Sequence, residues 1–268
     1  MTKQKSGVFT KIYIALIMIF MYSPIAVMII SSFNKGKTLI WKGFSLKWYG
    51  ELFKNKAIIG ALINTLSIAV LASLFATILG TAAAIGINNF KGKKRAVIQN
   101  VSNIPIISPD IVMGVSLMLL FAFLGNIFHF EMGYGTVLIS HICFCVPFVV
   151  LNVIPRLRRM DPSIYDAALD LGCNQRQAFF KVVIHELMPG IISGFLMSFT
   201  YSLDDFIITH FTQGAKFQNL STEIYSMLRR QIPPTINALS TLLFVAIMII
   251  MIIINIRDRH EEKVKNGK

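Results

Sequence analysis

Charged side chains are scarce in this sequence. Asp, Glu, Lys and Arg make up 15% of its 268 residues, where a soluble domain usually carries about 25%. The deficit is uneven: short charged blocks alternate with long stretches that hold almost none, 54% of the residues are apolar, and mean hydropathy is +0.64. That distribution excludes a disordered chain and is too interrupted for one large soluble core. It is what a bilayer demands, because a charge at its centre costs at least about 2.5–3.5 kcal/mol on insertion scales. Cysteine is nearly absent. Cys143 and Cys145 fall in an apolar run and Cys173 in a loop, an odd set with no Cys-x-x-C pair, which argues against a disulfide framework, a thioredoxin-like motif and a cysteine metal site. Acidic residues number only 13 against 26 basic ones, for a formal net charge of +13. The basic residues lie between apolar runs, with no aromatic-basic face or zinc spacing. Placement beside membrane spans therefore accounts for them better than nucleic acid does.

Signatures of catalysis are missing as well. The chain has no Gly-x-Ser-x-Gly and no His-Glu-x-x-His. Its five histidines, His129, His141, His185, His210 and His260, form no pair at metal spacing; His141 reads as hydrogen-bonded inside a helical bundle. Gly36-Lys37-Thr38 looks like the end of a phosphate loop, but Ser31 stands where that pattern needs glycine and no strand precedes it. No catalytic residue, metal or bound cofactor is expected, and the chain alone cannot bind ATP in that way. Asn219-Leu220-Ser221 matches a glycosylation acceptor, a pattern common by chance.

What is present is a set of apolar runs near the 20 residues that a spanning helix needs. Six emerge, roughly Ile12–Ser32, Ile59–Ile87, Val101–Leu124, Thr136–Ile154, Ile191–Phe211 and Ile236–Ile256. They are too long and too uniformly apolar for barrel strands, so the expected fold is all-α and polytopic, with six transmembrane helices. The N-terminal Lys3, Lys5 and Lys11 before the first run resemble a signal peptide. The run is longer than the usual core of one and lacks a convincing cleavage site, so it reads as an uncleaved span. With both termini inside, seventeen lysines and arginines fall on the inner side and nine on the outer; six of the nine lie between Asn34 and Lys56. The second run is rich in small residues, Ala69, Ala72, Ala76, Gly80, Ala82, Ala83, Ala84 and Gly86. These fit close helix packing, within this chain or against a second membrane subunit.

The longest inner loop, Pro155 to Pro189, carries strong local signals. Asp161 can cap a helix that has Pro162 at its first position, and Ser163 with Asp166 fits a capping-box variant. The helix runs through Ala167, Ala168 and Leu171, and Gly172 suits its left-handed end. Asn174 can cap a second helix carrying Phe179, Phe180, Val182 and Val183, with Pro189 near the start of the fifth span. A helix–turn–helix of this kind fits either a membrane-surface element or a knob that docks into a soluble partner.

Asp166-Ala167-Ala168 with Gly172 six positions after Asp166 resembles the Glu-Ala-Ala signature of ABC-importer permeases. Asp166 replaces the family's Glu, and Val182, Ile184 and His185 stand where the signature ends in Ile-x-Leu-Pro. The resemblance reaches further, through Tyr22–Pro24, Ser32–Asn34, Trp41 to Tyr49, Ser108 to Met113, Ser140 to Val150, Ser198 to Asp205 and Tyr225 to Met227. These look like the permeases of spermidine/putrescine importers, their second, C-type subunit above all. The resemblance implies a type I ABC-importer permease fold with cytoplasmic coupling helices, in a cell membrane with both termini cytoplasmic. It implies a first span and extracytoplasmic loop over 1–57, a permease core over 58–256 with the coupling loop at 155–189, and a basic tail over 257–268. Asp166, Ala167, Ala168 and Gly172 would contact the ATPase. The implied partners are two ATPase subunits that use ATP and Mg, a sister permease and an extracytoplasmic polyamine-binding protein. A permease for another small solute, a secondary transporter and a polytopic enzyme are the alternatives, but neither inverted repeats nor a convergent catalytic cluster is evident.

Three carboxylates lie inside the expected spans, Asp110 in the third and Asp204 and Asp205 in the fifth. Such groups mark functional sites by default, and they suit a polyamine substrate, whose ammonium groups are expensive to desolvate. Tyr201, one turn before Asp204, can add cation–π attraction. On a continuous helix adjacent residues diverge by about 100°, so at most one of Asp204 and Asp205 should face a pathway, with the other facing a neighbouring helix or capping a broken segment. The structural alternatives are that Pro109-Asp110 starts a helix segment, that Asp204 caps a kink, or that these groups form a gate or subunit-interface ion pair.

Overall fold

A computed structural model describes residues 8–38, 40–161, 163–229, 233–245 and 248–249. Among the described residues the chain is helical, with only an isolated bridge between Asn34 and Phe44 outside helices and turns. It divides into two compact units, 1–59 with 224–268, and 60–223.

In the first unit, α1 (Val8–Ser32) is long and apolar enough to span a bilayer. The loop after it folds around Asn34. The Asn34 side chain donates to the carbonyls of Thr38 and Ile40 and accepts from the amides of Gly36 and Lys42, while Trp48 Nε1 donates to the Asn34 carbonyl at 2.7 Å. Gly36-Lys37-Thr38 is thus part of an asparagine-centred loop, without the strand-to-helix context of a phosphate loop. Trp48 and Leu52 bury one face of the short helix α2 (Lys47–Lys54).

The second unit is built on α3 (Lys56–Asn89), α6 (Asp110–Phe128), α7 (Tyr134–Arg159) and α10 (Ile184–Asp204). Five of the six expected spans are present as helices long and apolar enough to cross a membrane. The sixth begins as an apolar helix, Thr235–Val245, and most of its remainder lies outside the described residues. In a bilayer these helices gain little from the hydrophobic effect against one another, so close packing of small residues decides their arrangement. Ala69, Ala72, Ala76 and Ala84 of α3 are fully buried, while Ala82 and Gly86 are exposed. The small-residue stripe therefore packs chiefly within this chain. Val149 of α7 is the meeting point. A Cβ on Gly80 of α3 would lie 2.6 Å from Val149 Cβ, and one on Gly194 of α10 would lie 3.1 Å from Val149 Cα.

Two expected spans are not continuous. The third, expected over Val101–Leu124, is divided into α4 (Gly92–Ser102), α5 (Ile104–Ile107) and α6. Pro109 explains the second division: the residue before a proline avoids the helical region, and Ser108 is extended at φ −70, ψ 139. Asp110 accordingly starts a helix instead of sitting near mid-span. The fifth, expected over Ile191–Phe211, ends as α10 at Asp204, is extended at Asp205 (φ −65, ψ 129), and resumes as α11 (Ile207–Thr212).

The 155–189 loop is shorter than expected. Pro155 lies inside α7, which continues to Arg159. After α8 (Ser163–Asp170), α9 (Gln175–Ala178) runs through a π-helical turn, Phe179–Val183, directly into α10. The second loop helix is therefore the beginning of the fifth span, and Pro189 lies within it. His185 is exposed on an unbroken helix, so the missing family proline ends nothing.

Overpacking a filled contact costs about 1–3 kcal/mol. Gly80→Ala should lower the unfolding temperature of the purified protein. Gly86→Ala on the same helix, where a Cβ meets nothing within 4 Å, should leave it unchanged or raise it. Equal melting of the two variants would contradict this packing.

Candidate functional site

The two interruptions face each other. The starts of α5 and α6, the middle of α7, the end of α10 and the start of α11 surround a cavity of about 500 Å³. Asp110, Tyr201, Asp204 and Asp205 all line it, with Met113, Phe144 and Phe148 supplying apolar wall. The divergence of about 100° expected of Asp204 and Asp205 assumes an unbroken helix, and the backbone here is extended at Asp205. The extended backbone at Asp205 lets both reach the same space.

Their environments differ. Asp205 caps α11. Its Oδ1 accepts from the Ile208 amide at 3.2 Å, and its Oδ2 accepts from the Thr209 amide at 2.8 Å and the Thr209 hydroxyl at 2.9 Å. Asp205, and not Asp204, is therefore the capping residue at the interruption. Asp110 and Asp204 have no hydrogen bond or ion pair among the described residues, and both are exposed. Tyr201 stacks on Phe148 with centroids 4.3 Å apart and planes 15° apart, presenting an aromatic wall beside Asp204.

His141, on α7, is 1% exposed. Its Nδ1 lies 2.7 Å from Ser202 Oγ; its Nε2 lies 2.9 Å from Thr209 Oγ1 and 3.4 Å from Asp205 Oδ2. The Thr209 hydroxyl already donates to Asp205, so it can only accept from the ring. The network thus assigns the proton to Nε2, with Nδ1 accepting from Ser202 in the neutral ring. Asn219 completes the cluster: its Nδ2 donates to the Asp205 carbonyl at 3.3 Å and to Thr209 Oγ1 at 3.1 Å. Asn219 also caps α12 (Leu220–Leu228) through Thr222, and its 2% exposure removes it as a glycosylation acceptor. Ser202, Thr209 and Asn219 were not among the expected site residues. The available signal was hydroxyl residues three before and four after Asp205 in an otherwise apolar run.

The second candidate site is the 155–189 loop. Asp161 Oδ1 accepts from the Ser163 amide at 3.0 Å, confirming Asp161 as the local cap of α8. That bond, with the Ser163 side chain, holds the carboxyl below the usual carboxylate range. Gly172 closes α8 at φ +88, with Cys173 N donating to the Ala168 carbonyl and Gly172 N to that of Leu169, the Schellman pattern. Asn174 and Gln177 cap α9 reciprocally. Asp166, Ala167 and Gly172 are exposed, but Ala168 is 5% exposed and packs into its own chain. Among the large apolar side chains here, Leu171 at 87% and Phe180 at 68% are the most exposed, and Ile164 and Met188 are exposed as well.

The profile of the family described as "binding-protein-dependent transport system inner membrane component" matches residues 76–260. The chain belongs to this family. The match takes in the second half of α3, the cavity and the loop. Across nearly its whole length the chain is also similar to the spermidine/putrescine transport system permease protein PotC of Escherichia coli K12, with 34% identity over 98% of this chain and 97% of that one. The putrescine transport system permease protein PotI of the same organism is 37% identical over 86% of this chain and 84% of its own. A solved bacterial ABC transporter that imports alginate shares the fold, with a TM-score of 0.68, 17% identity and 92% of each chain covered. The chain is thus a multi-span permease subunit of the ABC-importer type, of an inner membrane.

A depressed carboxyl pKa gives stability that is present above the unfolded value, about 3.9, and lost as pH falls through the folded one. Asp161→Ala should speed amide exchange at Ile164 and Tyr165 at neutral pH, and acidification below that range should do the same to the native loop. Unaltered exchange in the variant would remove Asp161 as the cap.

Proposed function

We propose that this chain is the transmembrane permease subunit of an ATP-driven polyamine importer, forming the translocation pathway for spermidine or putrescine with a sister permease. The observation that carries the reading is the pairing of two unbonded carboxylates, Asp110 and Asp204, with the Tyr201–Phe148 stack in one cavity. The names of the most similar relatives point the same way. A polyammonium ion must shed water to enter an apolar bundle. Carboxylates in low dielectric offset part of that cost, and aromatic faces add cation–π attraction. The cavity sets carboxylates beside an apolar wall of Met113, Phe144 and Phe148, which suits transient occupancy, since a pathway must release what it accepts.

The chain itself binds no nucleotide in this reading. Two partner ATPases use ATP and Mg, an extracytoplasmic binding protein delivers the polyamine, and both termini are cytoplasmic, which puts the 155–189 loop on the ATPase side. Ile164 and Ala167 lie one turn apart on α8, Leu171 follows directly after its end, and together they would form the docking face. ATP-driven closure of the ATPases would then move the bundle as a two-state switch.

Two outcomes are expected. Asp110→Asn and Asp204→Asn should each cut spermidine or putrescine uptake by about tenfold with the complex still assembled; full uptake by both would remove the carboxylate pathway. Ala167→Arg and Leu171→Glu should abolish co-purification of the ATPase, and retained assembly and transport would rule out this docking face.

A further inference from the structure

The two interruptions that frame the cavity differ in origin. The one before Asp110 is written locally, by Pro109. The one at Asp205 is not: Ser202-Leu203-Asp204-Asp205-Phe206-Ile207 contains neither proline nor glycine, the usual causes of a helix break. Local propensity would let this segment run on as helix, and a continuous helix would satisfy every amide in it. Something outside the segment must hold it open.

The only side chain that reaches both sides of the interruption from another spanning helix, among the described residues, is His141. Its Nδ1 meets Ser202 in the last turn of α10, and its Nε2 meets Thr209 and Asp205 at the first turn of α11. Asn219 braces the same point, bonding the Asp205 carbonyl and the Thr209 hydroxyl oxygen. With the ring in place, the Asp205 carboxylate is committed to the Ile208 and Thr209 amides and the Thr209 hydroxyl. If Asp205 wound into α10 as helix, its carboxylate would leave those amides. Asp204 would then no longer be the last residue of its helix at the cavity wall.

We propose that His141 is a positioning residue: its ring, braced by Asn219, holds the fifth span open at Asp205 and so places Asp204 beside the cavity that also contains Asp110. Asp205 is then dedicated to the backbone and Asp204 to the cation. The assignment of a cation to the cavity rests on the polyamine reading above; the hold on the backbone does not.

The test uses the assembled complex in proteoliposomes and the variants His141→Phe and His141→Gln. Phenylalanine fills the ring's space without its bonds, and glutamine restores a donor near the Nε2 position. Hydrogen exchange reads the hold without any substrate. In His141→Phe the amides of Ile208 and Thr209 should exchange about tenfold faster, and in His141→Gln they should return to within about threefold of the native rate. In uptake, His141→Phe should raise the KM for polyamine about tenfold while the maximal rate falls less than about threefold, with glutamine again restoring it. Native exchange at Ile208 and Thr209 in His141→Phe overturns the proposal, as does a native KM with faster exchange. Should His141→Phe not assemble, Ser202→Ala removes one ring bond alone and should still speed exchange at Ile208 and Thr209; unchanged rates there overturn the proposal equally. If the native complex takes up no polyamine while exchange behaves as expected, the substrate reading fails and the hold stands.

Discussion

Hydrocarbon offers no partner to a backbone amide, and an unsatisfied one costs several kcal/mol. A chain that crosses a bilayer therefore stays helical unless it brings its own donors and acceptors to any point where it does not. The gap at Asp205 obeys that constraint in detail. The Asp205 carboxylate serves the amides of Ile208 and Thr209, Asn219 serves the Asp205 carbonyl, and His141 ties these to Ser202 on the other side. The polar cluster is the condition for a non-helical segment at this depth. The cavity lies against it because there the end of α10 and the start of α6, with Asp204 and Asp110 at them, face an open space.

The same economy governs the packing. Side chains buried between helices in a membrane gain contact but little desolvation, so proximity has to come from residues that take no room. Gly80 and Gly194 receive Val149 from opposite helices, and Gly190 meets the Asn152 carbonyl and the Arg156 stem. These contacts fix α7 between α3 and α10, and α7 carries Phe144 and Phe148 to the cavity and His141 to the polar cluster beside it. The buried serine–cysteine exchange between Ser198 and Cys145 runs along the same seam. Close backbone approach below the cavity and a polar cluster beside it thus belong to one pair of helices.

Much of this was legible in the sequence, and the residues show why the remainder was not. Span number and helical class follow from hydropathy, which reports burial in lipid directly. The caps at Asp161, Gly172 and Asn174 were readable because capping is local: each depends on atoms within a few positions. Pro109 announced its interruption for the same reason. The one at Asp205 left only a weak local mark, the acidic pair with Ser202 and Thr209 around it, because His141 and Asn219, which bond across it, are 64 and 14 positions away. Spacing on a continuous helix separates Asp204 from Asp205 by direction, whereas the structure separates them by bonding, with the Asp205 carboxylate held by the Ile208 and Thr209 amides. Ala168, expected at the contact, is buried in its own chain. A signature identifies a loop but not which of two adjacent alanines faces outward, and that depends on how α8 rolls against the start of the next helix.

The absence of a second stop after Asn174 has a mechanical consequence. From Gln175 to Asp204 the chain is helical for 30 residues, about 45 Å at the usual rise. One end lies in the loop proposed to meet the ATPase and the other is the cavity residue proposed to meet the cation. Two separate helices joined by a proline would absorb a displacement at their hinge. A continuous rod passes it on, apart from what the π-helical turn at Phe179–Val183 takes up. Gly190 lies on this rod where it approaches Asn152 and Arg156 of α7 closely, so a tilt of the rod would pivot against the helix that carries His141. Displacement at the loop would therefore reach the cavity through the position of Asp204 relative to His141, and the clamp at Asp205 is where such a rod must either transmit or yield.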